Sequence, residues 1–466
     1  MIQRVVSALV MRETDPARSP FRRAAGTTLA SVLIAAIALA AVAGYGLFTG
    51  GGATDWRAAN TVIVEKESGE KFVWYDEKLH PVRNYASALL IVGSADARRV
   101  SVSRRSLHGE PRGEPLGVPD LPDSLPEPGR LRSGPWSLCS TTAEPGPGGP
   151  AAGDDGPPRP ARSVLLVGAE ASGGVALGDG ALLVTDPDGN RHLIWQRRRH
   201  LIRDAQIVLA ALGWSGAEPV PVAGALLNGL PAGPDLGRMV VPFRGQRSAV
   251  GEGLIVGQVV VVDSRSGAEQ YAVVLRDGVA PITQLQADLV LTDPRTRDLV
   301  GRDGPVTLSQ AEFAALPQLP PSAVDGAALP ARAPELAAVA GGVVCAAVPD
   351  DAGVASVAVG GTLPPFDRMI ATAGRSADRA VLADHVAVPG GAGAVVESVA
   401  APGATGGAVS VVTEQGRRFA APGPDVLTML GYGSVTPTRL PAELVVLVPA
   451  GPALDPEQAR RPTLPG

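Results

Sequence analysis

The chain has 466 residues, 45% of them hydrophobic, and a formal net charge of -5. That content suffices for folded cores and excludes wholesale disorder, while the length suits about three domains. The acidic balance, with no basic stripe interleaved with aromatics, excludes nucleic acid as an expected partner.

Residues 1–26 are short, polar and basic, with Arg18, Arg22 and Arg23 near their end. Val5 to Met11 is apolar enough to lie on a membrane surface, but Pro16 and Pro20 prevent a long helix. The next stretch, 27–48, reads TTLASVLIAAIALAAVAGYGLF and holds no charge. As one helix it would match a bilayer's hydrocarbon core of about 30 Å, so it is predicted to be a transmembrane helix. A cleaved signal peptide is the alternative, with Ala38–Ala40 or Ala41–Ala43 as the cleavage step. The apolar core exceeds the roughly 7–15 residues of a signal, which favours an uncleaved anchor. Arginines on its first side place the N-terminus in the cytoplasm and the bulk outside. Gly44 and Gly46 are predicted to let a neighbouring helix approach closely. A glycine-rich juxtamembrane linker follows at 49–60.

The most informative pattern is an internal repeat. Residues 62–92 give a strand, a Ser-Gly turn, a second strand, a turn ending at Leu79-His80-Pro81, and a short helix. Residues 182–212 match them without a gap, placing Gly69 on Gly189 and His80 on His200. A third copy covers 260–291, with Gly267 at its turn and Pro281 near the Pro81 position. A shorter fourth covers 411–430. Each unit reads as β-β-α, too small to bury its own apolar face, so the copies must pack on each other or on a shared body.

Their irregular spacing argues against a solenoid. The expected layout is repeat 1 at 61–107, repeat 2 at 175–230, repeat 3 at 231–315 and repeat 4 at 385–440. A core in two parts, 108–174 and 316–384, lies between, and 441–466 is a C-terminal segment expected to be extended. Within the core, 144–161 (EPGPGGPAAGDDGPPRPA) is a linker too poor in apolar residues to fold. The only cysteines are Cys139 and Cys345. In an exported domain a disulfide between them is the natural expectation, with two separate buried thiols as the alternative.

No established catalytic constellation is present. No lysine follows a glycine, so a phosphate-binding P-loop lacks its lysine. There is no G-x-S-x-G elbow and no HExxH; His80, His108, His192, His200 and His385 are scattered. Gly251–Gly257 precedes a strand rather than opening a helix and reads as a turn. Asp186-Pro187-Asp188-Gly189-Asn190 begins like a calcium loop, but Arg197 stands where the bidentate glutamate belongs, so it too reads as a turn. The expectation is therefore no catalytic, cofactor-binding or metal site.

Several stretches together resemble one family, the EccB membrane components of the ESX, or type VII, secretion system of actinobacteria. They are RVVSALVMRETDPARSPFRR, SGEKFVWYDEKLHPVRNYASALLIVG, PLGVPDLPDSLP, PWSLC ending at Cys139, YAVVLRDGVAPITQLQADLV, VVCAAVPDD around Cys345, ADHVAVPGGAGAVV and LGYGSVTPTRLPAELVVLVPAGPALDPEQA. They run in the family's order over nearly the whole chain. The abrupt start at Arg4-Val5-Val6 implies a longer polar stretch upstream.

The resemblance implies an α+β protein: one N-terminal transmembrane helix, then an elongated periplasmic region with a β-rich core and about four repeats in quasi-twofold arrangement. Cys139 and Cys345 match the family's bridging pair. It implies a single-pass inner-membrane location. The implied partners are the other secretion components, including the FtsK/SpoIIIE-type motor ATPase and the mycosin protease, with further copies of the chain. Its function would be that of a structural subunit linking the periplasmic portion to the cytosolic motor through one span. ATP enters only through the ATPase label that family members carry, so an extracytoplasmic ATP-hydrolysing subunit is one alternative. A membrane-anchored cell-wall-binding module, using Tyr75, Trp195 and Tyr271, is another.

Overall fold

The computed structural model describes residues 29–42, 55–142, 160–263, 269–301, 304–323, 329, 331–338 and 342–463. The chain separates into two compact units, Met1–Pro81 with Ala97–Glu114, and Val82–Asp96 with Pro115–Gly466. Its described part is α+β and rich in sheet: four four-stranded sheets, one per repeat, and a central sheet of seven strands.

The transmembrane helix expected over 27–48 does not stand, nor does the single-pass membrane placement built on it. Helix is described there only for 29–42, and no helix among the described residues is long and apolar enough to cross a membrane. Fourteen residues at the helical rise reach about 21 Å, short of the roughly 30 Å required. An uncharged run reports apolarity; helical length is a separate property. Arg18, Arg22, Arg23, Gly44 and Gly46 lie outside the described residues, as does the linker up to residue 159.

Each repeat is larger than the expected β-β-α. Three antiparallel strands are followed by a helix and then a fourth strand, which runs parallel to the first. In repeat 1 the strands are Thr61–Glu65, Lys71–Tyr75, Lys78–Val82 and Arg98–Val102. In repeat 2 they are Ala181–Thr185, Arg191–Trp195, Arg198–Ile202 and Val220–Pro221. The fourth strands are short or half exposed, so no apolar alternation marks them. In repeat 4 the first strand, Ala394–Val399, precedes the 411–430 motif, whose VVTEQGRRF hairpin joins the second and third strands.

The local reasons for these elements are readable. The second hairpin turns through two successive left-handed residues, Asp76 and Glu77 in repeat 1, Gln196 and Arg197 in repeat 2, the twist that suits a two-residue hairpin. Helix Tyr85–Val92 is capped by Asn84, whose side chain accepts from Ser87 N, and stops at left-handed Gly93. Helix Gln284–Thr292 starts with a full capping box between Thr283 and Gln286. The C-terminal segment is not simply extended: Asp455 caps a helix at Pro456–Ala459, which buries Ala459 and packs against Tyr85–Val92.

Within the larger unit the repeat helices associate two by two. Ala205–Ala211 of repeat 2 packs on Gln284–Thr292 of repeat 3, and Tyr85–Val92 packs on Pro424–Met429 of repeat 4. Repeats 2 and 3 share one apolar core, including Leu183, Leu193, Val208, Leu289 and Val290. One face of the central sheet (Trp136, Leu138, Val344, Ala346) forms a single core with Leu182 and Ile194 of repeat 2 and Val396 and Val412 of repeat 4. Repeat 1 covers its own sheet differently. Trp56 and Leu107 close over Ile63, Phe72 and Leu79, and Arg57 lies over the rings of both Trp56 and Trp74.

Candidate functional site

Within the larger unit the seven-stranded sheet holds a bridged pair of strands. Trp136–Thr141 and Val343–Val348 are buried along their whole length and run antiparallel, with Cys139 directly opposite Cys345. Facing residues without mutual hydrogen bonds are where antiparallel strands come closest. The Cα atoms are 4.0 Å apart and the two sulfurs are bonded at 2.08 Å. Repeats 2 and 3 lie in the 206-residue interval between the two cysteines.

Beside this sheet a polar cleft of about 380 Å³ opens against repeat 2. The N–H and hydroxyl of Ser163 both donate to Asp384 Oδ2 at 2.7 Å, and Asp384 N donates back to Ser163 Oγ at 2.9 Å. Across the cleft Asp186 accepts from Asp188 N, from Asn190 N and Nδ2, and from His192 Nε2. Burial alone would raise the Asp186 pKa, but the hydrogen bonds from Asn190 and His192 outweigh it and hold it below the usual range. Ser163 thus gives its proton to a carboxylate already fixed by backbone, and His192 staples its own hairpin. The stretch that begins like a calcium loop is that hairpin's turn, with Gly189 left-handed. Among the described residues no group of three or more His, Cys, Asp or Glu side chains is placed to hold a metal.

His80 and His200 do occupy equivalent positions, and the structure gives the reason. A later segment of each repeat returns to pair in parallel with the third strand: Arg112 opposite Leu79, Ala232 opposite Arg199. His80 Nδ1 pairs with Glu114 O at 2.8 Å and His200 Nδ1 with Pro234 O at 2.9 Å. Each ring lies flat on a glycine, so closely that a Cβ on Gly113 or Gly233 would fall 2.1 or 2.2 Å from it. In repeat 4 Phe419 takes the ring's place over Gly451, where a Cβ would again stand 2.2 Å away. In repeat 3 the sizes are exchanged, with Ala280 on the strand and Leu319 on the returning segment. The sequence signal, invisible to a search for apolar periodicity, is the recurrence of Pro-x-Gly-x-x-Leu at 111–116, 231–236 and 449–454.

Burial pushes the His200 pKa below its ordinary 6.5, with Arg198 acting the same way; the Pro234 carbonyl and Asp235 oppose this without prevailing. The unfolded chain therefore takes up the proton first. This contribution to stability is intact above about pH 6.5 and is lost as the pH falls below it. His200→Phe, which installs the ring used in repeat 4, should flatten the dependence of Tm on pH between about 7.5 and 5. An unchanged slope in differential scanning calorimetry would assign the titration elsewhere.

Repeat 3 carries a buried ion pair. Asp293 caps helix Pro294–Val300 and has a fully buried side chain. Arg244, nearly as buried, donates to Asp293 Oδ2 at 2.8 Å, Thr296 Oγ1 at 2.9 Å and Met239 O at 2.7 Å. Arg238 approaches the other carboxylate oxygen at 3.4 Å.

Comparison with known proteins places this architecture. A family profile described as "Type VII secretion system ESX-1, transport TM domain B" matches residues 1–465. A curated relative, the ESX-3 secretion system ATPase EccB3 of Mycolicibacterium smegmatis, is 29% identical, with 97% of this chain and 87% of that protein covered. Among solved structures, a chain of the periplasmic assembly from the ESX-5 inner membrane complex is similar at a TM-score of 0.65 and 25% identity, over 87% of this chain and 97% of that one. The EccB3 dimer from the ESX-3 core complex is similar at 0.66 and 26%, over 86% and 99%.

Proposed function

This chain belongs to the EccB family of type VII secretion components, and from that premise we propose that it is a structural subunit of the periplasmic part of an ESX-type complex. The observation that carries the reading is the fold shared with a chain of the ESX-5 periplasmic assembly over nearly its full length. The internal construction agrees with a scaffold role. In the cleft beside repeat 2, Ser163 and Asp384 bond each other and Asp186 binds His192, and repeats 2 and 4 bury apolar faces against a disulfide-bridged sheet. In this reading the partners are the other secretion components, among them the FtsK/SpoIIIE-type motor ATPase and the mycosin protease, together with a second copy of the chain.

Affinity purification of the tagged chain in mild detergent should bring down the motor ATPase and a second, differently tagged copy. Recovery of the chain alone and monomeric at native abundance would sink the proposal. The relatives' names carry a second reading, nucleotide hydrolysis. It would have to work without a Gly-Lys step, since none occurs in the sequence. Saturable ATP binding by the purified chain in calorimetry would favour it.

A further inference from the structure

Side chains of a strand alternate between the two faces of its sheet, and the central sheet uses its faces differently. Trp136, Leu138, Val344, Ala346, Val357 and Val359 point into the core shared with repeats 2 and 4. On the opposite face one row crosses five adjacent strands: Val164, Cys139, Cys345, Ala358 and Ala176, each paired with the next. The bridge joins the second and third members of this row. Val164 therefore stands beyond Cys139, and Ala358 beyond Cys345.

The two ends of the bond meet different surroundings. Val164 is fully buried, and Leu166, Val343 and Met369 belong to the same cluster around Cys139, which has no exposed surface. On the other side the row falls to alanines, Ala358 half-buried and Ala176 exposed. A pocket of about 190 Å³ opens there, with Cys345 as one wall and Ser137, Ala171, Ala347, Ala358 and Gly361 among the others. Cys345 keeps 6% of its surface exposed where Cys139 keeps none. Larger residues at the glycines would crowd this space: a Cβ on Gly174 would stand 3.3 Å from Ala358 Cβ, and one on Gly361 3.1 Å from Ala171 Cβ.

We propose that this pocket is a thiol-exchange site, at which a small-molecule thiol opens the bridge of the folded chain by attacking Cys345. Disulfide exchange is a displacement at sulfur, with the attacking and leaving sulfurs on opposite sides of the attacked one. A thiolate in the pocket approaches Cys345 from the Ala358 side, opposite to Cys139. Its sulfur bonds to Cys345 Sγ, the Sγ–Sγ bond breaks, and the electron pair leaves on Cys139 Sγ. Cys139 then takes up the proton that the thiol gave to solvent. A second thiol attacks the sulfur of the first, releasing the Cys345 thiol and the reagent's own disulfide. Two small thiols are thereby oxidised and one protein disulfide is reduced. The mirror attack, on Cys139, is barred because Val164 fills the place the thiolate needs. Cys139 serves only as the leaving group and, on re-oxidation, as the thiol that closes the bond.

The test treats the whole oxidised chain, well below its Tm, with 2-mercaptoethanol, traps it with N-ethylmaleimide and maps it by peptide mass spectrometry. The mixed disulfide is expected on Cys345 and the maleimide on Cys139. The rate of reduction should rise in proportion to thiol concentration, as attack on the native state requires, rather than level off at the rate of unfolding. Ala358→Leu and Ala176→Leu, which fill the pocket from half-buried and exposed positions, should each slow reduction about tenfold or more at unchanged Tm. A mixed disulfide on Cys139, a rate independent of thiol concentration, or undiminished reduction of both variants would each overturn the proposal.

Discussion

Removing the bridge with Cys139→Ser and Cys345→Ser together should cost about 2–5 kcal/mol and lower Tm by something on the order of 10 °C. Loop closure sets the scale. A disulfide closing about 200 residues removes up to roughly 5 kcal/mol of chain entropy from the unfolded state, and the interval here is 206 residues. The loss should centre on the central sheet, because the cysteines face each other between its two fully buried strands. Repeat 1, whose own core is closed by Trp56 and Leu107, should be least affected. Calorimetry of oxidised wild type, reduced wild type and the double variant reads the effect. Equal Tm in all three would mean that strand pairing alone holds the core.

Arg244→Met should destabilise the larger unit by about 3–5 kcal/mol, near the lower end because Arg238 still reaches Asp293. The cost comes from the carboxylate left behind in a fully buried position, rather than from the strength of the pair itself. The guanidinium also serves Met239 O and Thr296, and its stem lies on Gly257, where a Cβ would stand 2.6 Å from Arg244 Cγ. Adding Asp293→Asn to Arg244→Met should recover a large part of the loss, since the amide can still cap Pro294–Val300 without a buried charge. Urea titration of the two variants would separate these terms. A double variant no more stable than Arg244→Met would place the cost in packing.

Much of the repeat architecture was legible in the residues. Hairpins at 62–75 and 182–195 follow from short, near-continuous apolar runs on either side of a left-handed glycine, Gly69 or Gly189. The helices follow from the capping residues Asn84 and Thr283. Other features escaped because their signals are weak or non-local. The fourth strand of repeat 2 is two residues long, and the edge segments are Gly/Pro-rich stretches that look like loops until a third strand lies beside them. The ungapped alignment of repeats 1 and 2 is itself off by one in the first hairpin. Val62 pairs with Val73, but Leu182 pairs with Ile194, because the two turns differ in length.

The sequence by itself determined the family, the number of repeats and the two residues able to form a bridge, since these are written in local pattern and composition. Tertiary structure alone decided the rest. Hydropathy reports that a stretch is apolar and not how far its helix runs, and no helix among the described residues is long and apolar enough to cross a membrane. Which repeat faces meet depends on complementary apolar surfaces far apart in the chain, repeats 2 and 4 on one face of the central sheet and repeat 2 on repeat 3. Which segment returns to pair with a third strand depends on contacts far apart in the chain, as with Pro111 beside Leu79 and Pro231 beside Arg199.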